Sequence, residues 1–293
     1  MSFIKIGSKL KTLQKNDLLK LTKKVLDTKG FVKLVDSMPS HFECPKLMCD
    51  SAIVQAARVS YGEGLKDYES DRKLIQYLYK NKHTSPFEMV KFKFHVKAPI
   101  FIARQWFRHR MGNYNEISGR YSKLQDDFYF PTKLQTQSKE NKQLSDNNTD
   151  LFENKEIKKL FYSYMDNCHD QYKKYEKLIE LGVSREIARI CLPQNLYTEF
   201  YWTIDLHNLF NFIKLRDSNN AQYEIKMYAK SIKEIIKQVC PVSVEAFDEY
   251  KNINISKNQL NSLQFSTKKL QQKEIKELKN FGIQKCFVDS YII

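Results

Sequence analysis

The sequence lacks several of the patterns that would settle a class at once. Its six cysteines (Cys44, Cys49, Cys168, Cys191, Cys240 and Cys286) contain no C-x-x-C pair, so neither a disulfide framework nor a zinc site is expected. Reduced, mostly structural thiols are the reading, and no metal is expected. No run approaches the roughly 18 uncharged apolar residues of a membrane helix. The first 34 residues hold nine lysines and no apolar core of a secretory signal, so a cytoplasmic protein is expected. There is no internal repeat and no nucleic-acid-binding motif.

What is present is a 293-residue chain with 42% apolar residues and 13% aromatics, enough for one large core with decoration. The net charge is +15, and most of it sits at the ends. Residues 1–34 set nine Lys against two Asp, and residues 251–293 set eight Lys against three acids. Such ends are usually solvated faces. Weak attraction to polyanions is the alternative, but without a binding motif no nucleic-acid partner is expected.

Residues 1–30 read as a lysine-rich helical arm. Residues 31–250 read as the main domain, with a polar insertion at 133–156, and 251–293 as a basic extension with one short helical candidate at 268–280. Val90, Phe92, Phe94 and Val96 alternate with Lys91, Lys93, His95 and Lys97, the period of a half-buried strand. Tyr197–Ile204 is a second strand by composition. Helices are expected at about 46–60, 71–82, 100–108, 156–181, 184–191, 206–217 and 220–239, the last closed by Cys240-Pro241. Strands that do not alternate regularly with helices argue for an α+β fold, a small antiparallel or mixed sheet surrounded by helices.

The densest chemistry runs from Arg104 to Tyr121, with four arginines, one His and one Glu between 104 and 120. Gln105 and Arg108 are three apart and would share a helix face, with Gly112 ending that helix. If 116–120 is extended, Glu116, Ser118 and Arg120 point one way. An acceptor, a hydroxyl and a guanidinium in a row suit a ligand with a phosphate and a polar heterocycle. A solvated loop of local salt bridges is the competing reading. Trp106, Phe107, Tyr114, Ile117 and Tyr121 weigh against it, because exposed loops rarely interleave so many large apolar groups with charges.

Arg108-His109-Arg110, seven residues, then Ser118 resembles the R-H-R-x7-S signature of the flavin-dependent thymidylate synthases, and Asn115–Tyr121 extends the match. His83-Thr84-Ser85-Pro86-Phe87-Glu88 resembles the same family's H-x-[ST]-P-F-E element. The likeness spans roughly residues 30–250. It implies FAD as cofactor, with NADPH and 5,10-methylenetetrahydrofolate as co-substrates. It implies methylation of dUMP to dTMP with release of tetrahydrofolate, and a homotetramer whose active sites are shared between subunits.

Carried over residue by residue, the resemblance assigns dUMP contacts to Gln105, Arg108, Glu116, Ser118, Arg120, Arg189 and Arg216, with Arg216 gripping the uracil as the catalytic group. It assigns flavin contacts to Ser60, His83, Ser85, Glu88, Arg108, His109, Arg110, Met111, Glu116, Asp205, His207, Asn211, Leu215 and Asn220. Without it, His83 would be a surface histidine, Ser60 a helix-end residue, and Arg216 half of a salt bridge. Ser118 has no evident base to activate it, so a hydrogen-bonding role is expected rather than a nucleophilic one. Asp205, His207 and Asn220 depart from the family's common residues, and Asp205 could simply cap the helix that follows. No cysteine here has the Pro-Cys-His context of the ordinary thymidylate synthases, which add a thiol to uracil C6.

Overall fold

The computed structural model describes residues 21–27, 29–40, 48–62, 64–139, 142, 145–146 and 150–251. Cys44, Cys286, the 268–280 helical candidate and most of the lysine-rich arm lie outside them. Two compact units are present, 1–244 and 245–293.

In the first unit, strands β1 (Thr22–Val25), β2 (Gly30–Met38), β3 (Lys91–Pro99), β4 (Asn113–Glu116) and β7 (Tyr197–Asp205) form one sheet in the order β1-β2-β3-β7-β4. Every pairing is antiparallel, from Lys91 opposite Asp205 to Pro99 opposite Tyr197 in the central pair. The α+β expectation holds. Phe92, Phe94 and Val96 of β3 and Phe200, Trp202 and Ile204 of β7 are buried on one face, as a half-covered antiparallel sheet requires.

The described end of the 1–30 segment, expected to be a helical arm, is strand at Thr22–Val25, and β2 follows it from Gly30. β1 is short and carries Lys23 and Lys24, common protection for an edge strand. Within the 133–156 insertion, Thr136–Gln137 (β5) pairs with Ser145–Asp146 (β6).

Among the described residues the α-helices are α1 (Met48–Arg58), α2 (Tyr68–Lys80), α3 (Ser85–Glu88), α4 (Ile100–Trp106), α5 (Lys155–Glu180), α6 (Arg185–Ala188), α7 (Leu206–Arg216), α8 (Tyr223–Ile236) and α9 (Pro241–Tyr250). Cys240-Pro241 does not simply end the preceding helix. Pro241 opens α9, where a missing N–H costs nothing. The buried Asp50 carboxylate accepts from the Val242 and Ser243 backbone N–H groups at 2.9 and 3.0 Å. The described part of the second unit, 245–251, is helical as far as Tyr250. No helix among the described residues is long and apolar enough to cross a membrane.

Helices α4, α7 and α8 meet the apolar sheet face around an aromatic cluster. The Trp106 ring stacks on Phe212 at 5.0 Å and meets Trp202 edge-on at 5.2 Å. At Gly112 the backbone passes so close to the Trp202 indole that a Cβ would collide with its nitrogen. A satellite core of Phe128, Cys168, Tyr172, Tyr175, Ala188 and Leu196 fastens α5 and α6 to the chain after β4. The Tyr172 hydroxyl donates to the Leu124 carbonyl at 2.7 Å, and the Leu124 N–H donates to the Tyr175 hydroxyl at 3.1 Å.

Candidate active site

Helix α7 is the element that joins the candidate residues. Asp205 caps its start, accepting from the Asn208 N–H at 2.9 Å and from Asn208 Nδ2 at 2.8 Å. That is the capping geometry the sequence allows, and it engages both carboxylate oxygens. Leu206 N–H donates to the Val90 carbonyl, which sets the helix against the end of α3. The ring of Tyr79 lies 5.7 Å from Phe87 and 5.6 Å from Phe210, locking α2, α3 and α7 together. The His83–Glu88 segment is thereby fixed beside the beginning of α7. His83 and Ser85 are exposed there, and Glu88 accepts from Thr84 Oγ1 at 3.3 Å.

About 16 Å farther along α7, at 1.5 Å rise per residue, Arg216 reaches the arginine segment. Its Nε–H donates to His109 Nε2 at 2.8 Å, and its Nη2 donates to the Gln105 carbonyl at 3.2 Å. The salt-bridge alternative for Arg216 is not what forms: both acceptors are neutral. Between the ends of the helix, Asn211 Nδ2 and His207 Nε2 approach to 3.4 Å, and Leu215 is exposed.

His109 is held at about 4, below its ordinary 6.5, first by burial and then by the Arg216 charge. It is therefore neutral at pH 7. Its Nε2 lone pair accepts from Arg216, so the ring proton sits on Nδ1. Phe212 packs edge-on to the ring at 4.8 Å. Burial also pulls the Arg216 pKa down, though a guanidinium stays charged at neutral pH.

The depressed His109 value has a consequence for stability. The unfolded chain takes up a proton near pH 6.5, and the folded chain takes it up only near 4. Stability should fall as pH drops across that window and level off below it. His109→Gln should flatten this part of the profile in denaturant unfolding measured between pH 7 and 4. An unchanged slope would show that the ring is not held neutral.

The arginine segment differs from its expected local structure in three ways. Helix α4 stops at Trp106, so Arg108 lies in the turn beyond it and shares no helical face with Gln105. Gly112 is not the helix terminator but the close-approach residue ahead of β4. Residues 116–120 are not continuously extended. β4 ends at Glu116, and a turn follows in which Ser118 Oγ accepts from the Arg120 N–H at 3.2 Å.

Three further contacts define the turn's surroundings. Glu116 accepts from the buried Thr198 hydroxyl at 2.6 Å. Arg120 Nε pairs with Glu186 at 3.1 Å. Arg189 lies against Gly119, its Cδ 3.0 Å from where a Cβ would stand.

The candidates therefore form two local sets. Gln105, His109 and Arg216 make one, which Gln222 joins through a side-chain hydrogen bond to Gln105. Ser118, Arg120 and Arg189 make the other, with Glu186 and Thr198 at their edges. Gln222, Thr198 and Glu186 were not foreseen. Only Glu186 had a local signal, three residues before Arg189 on a helical stretch. Among the described residues, the side chains of Arg108 and Arg110 have no hydrogen-bond or ion-pair partner, and both are exposed. Met111 beside them is 72% exposed. Ser60 lies exposed in the 3-10 turn after α1, and Asn220 is exposed between α7 and α8. No described contact joins either to the two sets.

Unpaired guanidiniums, exposed apolar side chains at Met111 and at Leu215, and a hydroxyl on a tight turn are the makeup of a site for phosphorylated, ring-bearing ligands. The model of the thymidylate synthase complementing proteins matches residues 46–242. The flavin-dependent thymidylate synthase of Thermus thermophilus is 54% identical over 230 residues, 78% of this chain and 79% of that one. That of Dictyostelium discoideum is 49% identical over 223 residues, 75% and 72% of the two chains. A solved UMP/dUMP methylase, PolB from Streptomyces cacaoi bound with 5-Br dUMP, superposes with a TM-score of 0.64 at 32% identity, over 77% of this chain and 96% of that one. The chain belongs to the thymidylate synthase complementing protein family.

Proposed function

We infer that this chain is a flavin-dependent thymidylate synthase that methylates dUMP to dTMP, with FAD as cofactor and methylenetetrahydrofolate and NADPH as co-substrates. The observation that carries the reading is the anchoring of Arg216 by His109 and the Gln105 carbonyl. It brings the end of α7 to the R-H-R segment and leaves further guanidinium N–H groups to meet a ligand.

The described residues fit a flavin. Arg108 and Arg110 offer unpaired charge to its diphosphate, and Met111 and Leu215 offer apolar surface to its ring. His83, Ser85 and Glu88 lie beside the start of α7, which itself carries His207 and Asn211, and these would supply polar contacts. Bound there, the flavin would carry reducing equivalents from the nicotinamide to the new methyl group.

The chain's own part is position and charge. Uracil C5 is a weak nucleophile, and activating it for attack places negative charge on the ring and its carbonyl oxygens. Arg216, fixed by two hydrogen bonds before substrate arrives, would stabilise that charge at the uracil carbonyl without reorganising. Arg120 and Arg189 would hold the phosphate, and Ser118 and Glu116 the sugar and base edge. The exposure of Val59, Met111, Ile190 and Leu215 suits a site completed by another copy of the chain, and a cytoplasmic homotetramer is part of this reading.

The purified protein should release tritium from C5-labelled dUMP only when FAD, NADPH and methylenetetrahydrofolate are all supplied. Release without the flavin, or none with all three, would overturn it.

A further inference from the structure

Arg120 and Glu186 form a pair whose place in the site has a second consequence. Arg120 uses its Nε toward Glu186, at 3.1 Å. A side-on guanidinium fork grips phosphate with Nε–H and one Nη–H, so a carboxylate on Nε occupies half of that fork. The pair is exposed, 60% at Arg120 and 50% at Glu186, so its attraction is weak enough to yield to a dianion.

The placement of Glu186 is not arbitrary. Ala188 is buried in the satellite core, which orients α6 so that Glu186 faces outward. Arg189, three residues on, lies against Gly119, next to Arg120 in the chain. The Ser118–Ser122 turn is itself pinned, with the Tyr121 and Ser122 N–H groups both donating to the Ser118 carbonyl and Leu124 tied to two tyrosines of α5. Glu186 thus sits on the same fixed platform as both arginines assigned to the phosphate.

We propose that Glu186 is a positioning residue that holds Arg120 in place and competes with the substrate phosphate for its Nε–H, setting the affinity for dUMP. The proposal rests on the reading of Arg120 as a phosphate ligand. Binding of dUMP then exchanges one Arg120 partner for another, and the carboxylate lost from Arg120 also repels the incoming dianion.

Equilibrium binding of dUMP and of deoxyuridine to the flavin-loaded enzyme tests it. Glu186→Gln should tighten dUMP by about three- to ten-fold, the scale of one exposed charge pair with its repulsion removed. Deoxyuridine, which has no phosphate, should bind as before. In an Arg120→Ala background the same change should tighten dUMP distinctly less, because only the direct repulsion is left to relieve. Unchanged or weaker dUMP binding by Glu186→Gln, or an equal shift for deoxyuridine, would overturn the competition. If Arg120→Ala alone leaves dUMP binding intact, the phosphate assignment fails and the proposal with it. If Arg120→Ala weakens dUMP while Glu186→Gln does nothing, only the role of Glu186 falls.

Discussion

Arg216→Ala should lower turnover by about a hundred-fold or more, the usual cost of losing a preorganised donor aimed at developing charge. The reason is geometric. The guanidinium is already fixed by His109 Nε2 and the Gln105 carbonyl, so its remaining N–H groups need no reorganisation when charge appears. Lysine is a poor substitute. An ammonium cannot donate along both directions and still reach a ligand, so Arg216→Lys should recover little of the loss. The KM for dUMP should change less than kcat, because the phosphate is held elsewhere. Steady-state kinetics with far-UV circular dichroism as a check on folding would decide it. Turnover within a few-fold of the parent would remove the charge-stabilising role.

Arg120→Ala should instead act on binding. Losing a charge-assisted contact to a phosphate should raise the dUMP KM by about ten- to a hundred-fold. At saturating dUMP, kcat should stay near that of the parent. Arg120→Lys should fall between, because an ammonium keeps the charge and loses the fork. The two arginines thus predict opposite signatures on one substrate. If both variants lowered kcat alone, the division between them would be wrong.

The centre of the sheet was readable from the chain because β3 alternates as a strand with one buried face must, and β7 is rich in aromatic and β-branched residues. The edges were not. β1 reads Thr-Lys-Lys-Val and β4 Asn-Tyr-Asn-Glu, short polar segments whose strand conformation comes from pairing with β2 and β7. β2 breaks register between Leu34 and Asp36, which blurs its alternation. The turn at 118–121 depends on Ser118 accepting from Arg120 N–H, a local serine bond that competes with extended structure. In the site, the motif residues were legible through their spacing and their resemblance. Their partners were not. Gln222 is 117 positions from Gln105 and Thr198 is 82 from Glu116, and only the packing of α7, α8 and β7 brings them together. Arg216 looked like one half of a salt bridge, because nothing in its own helix reveals a neutral histidine 107 positions away.

The central claim is that carbon transfer here draws its hydride from a bound flavin and not from the folate. Identifying the folate product of a single round of dTMP formation tests it most directly. Tetrahydrofolate, formed in step with dTMP, is the predicted outcome. Dihydrofolate in equal amount would mean that the folate itself was the reductant, and would contradict the account.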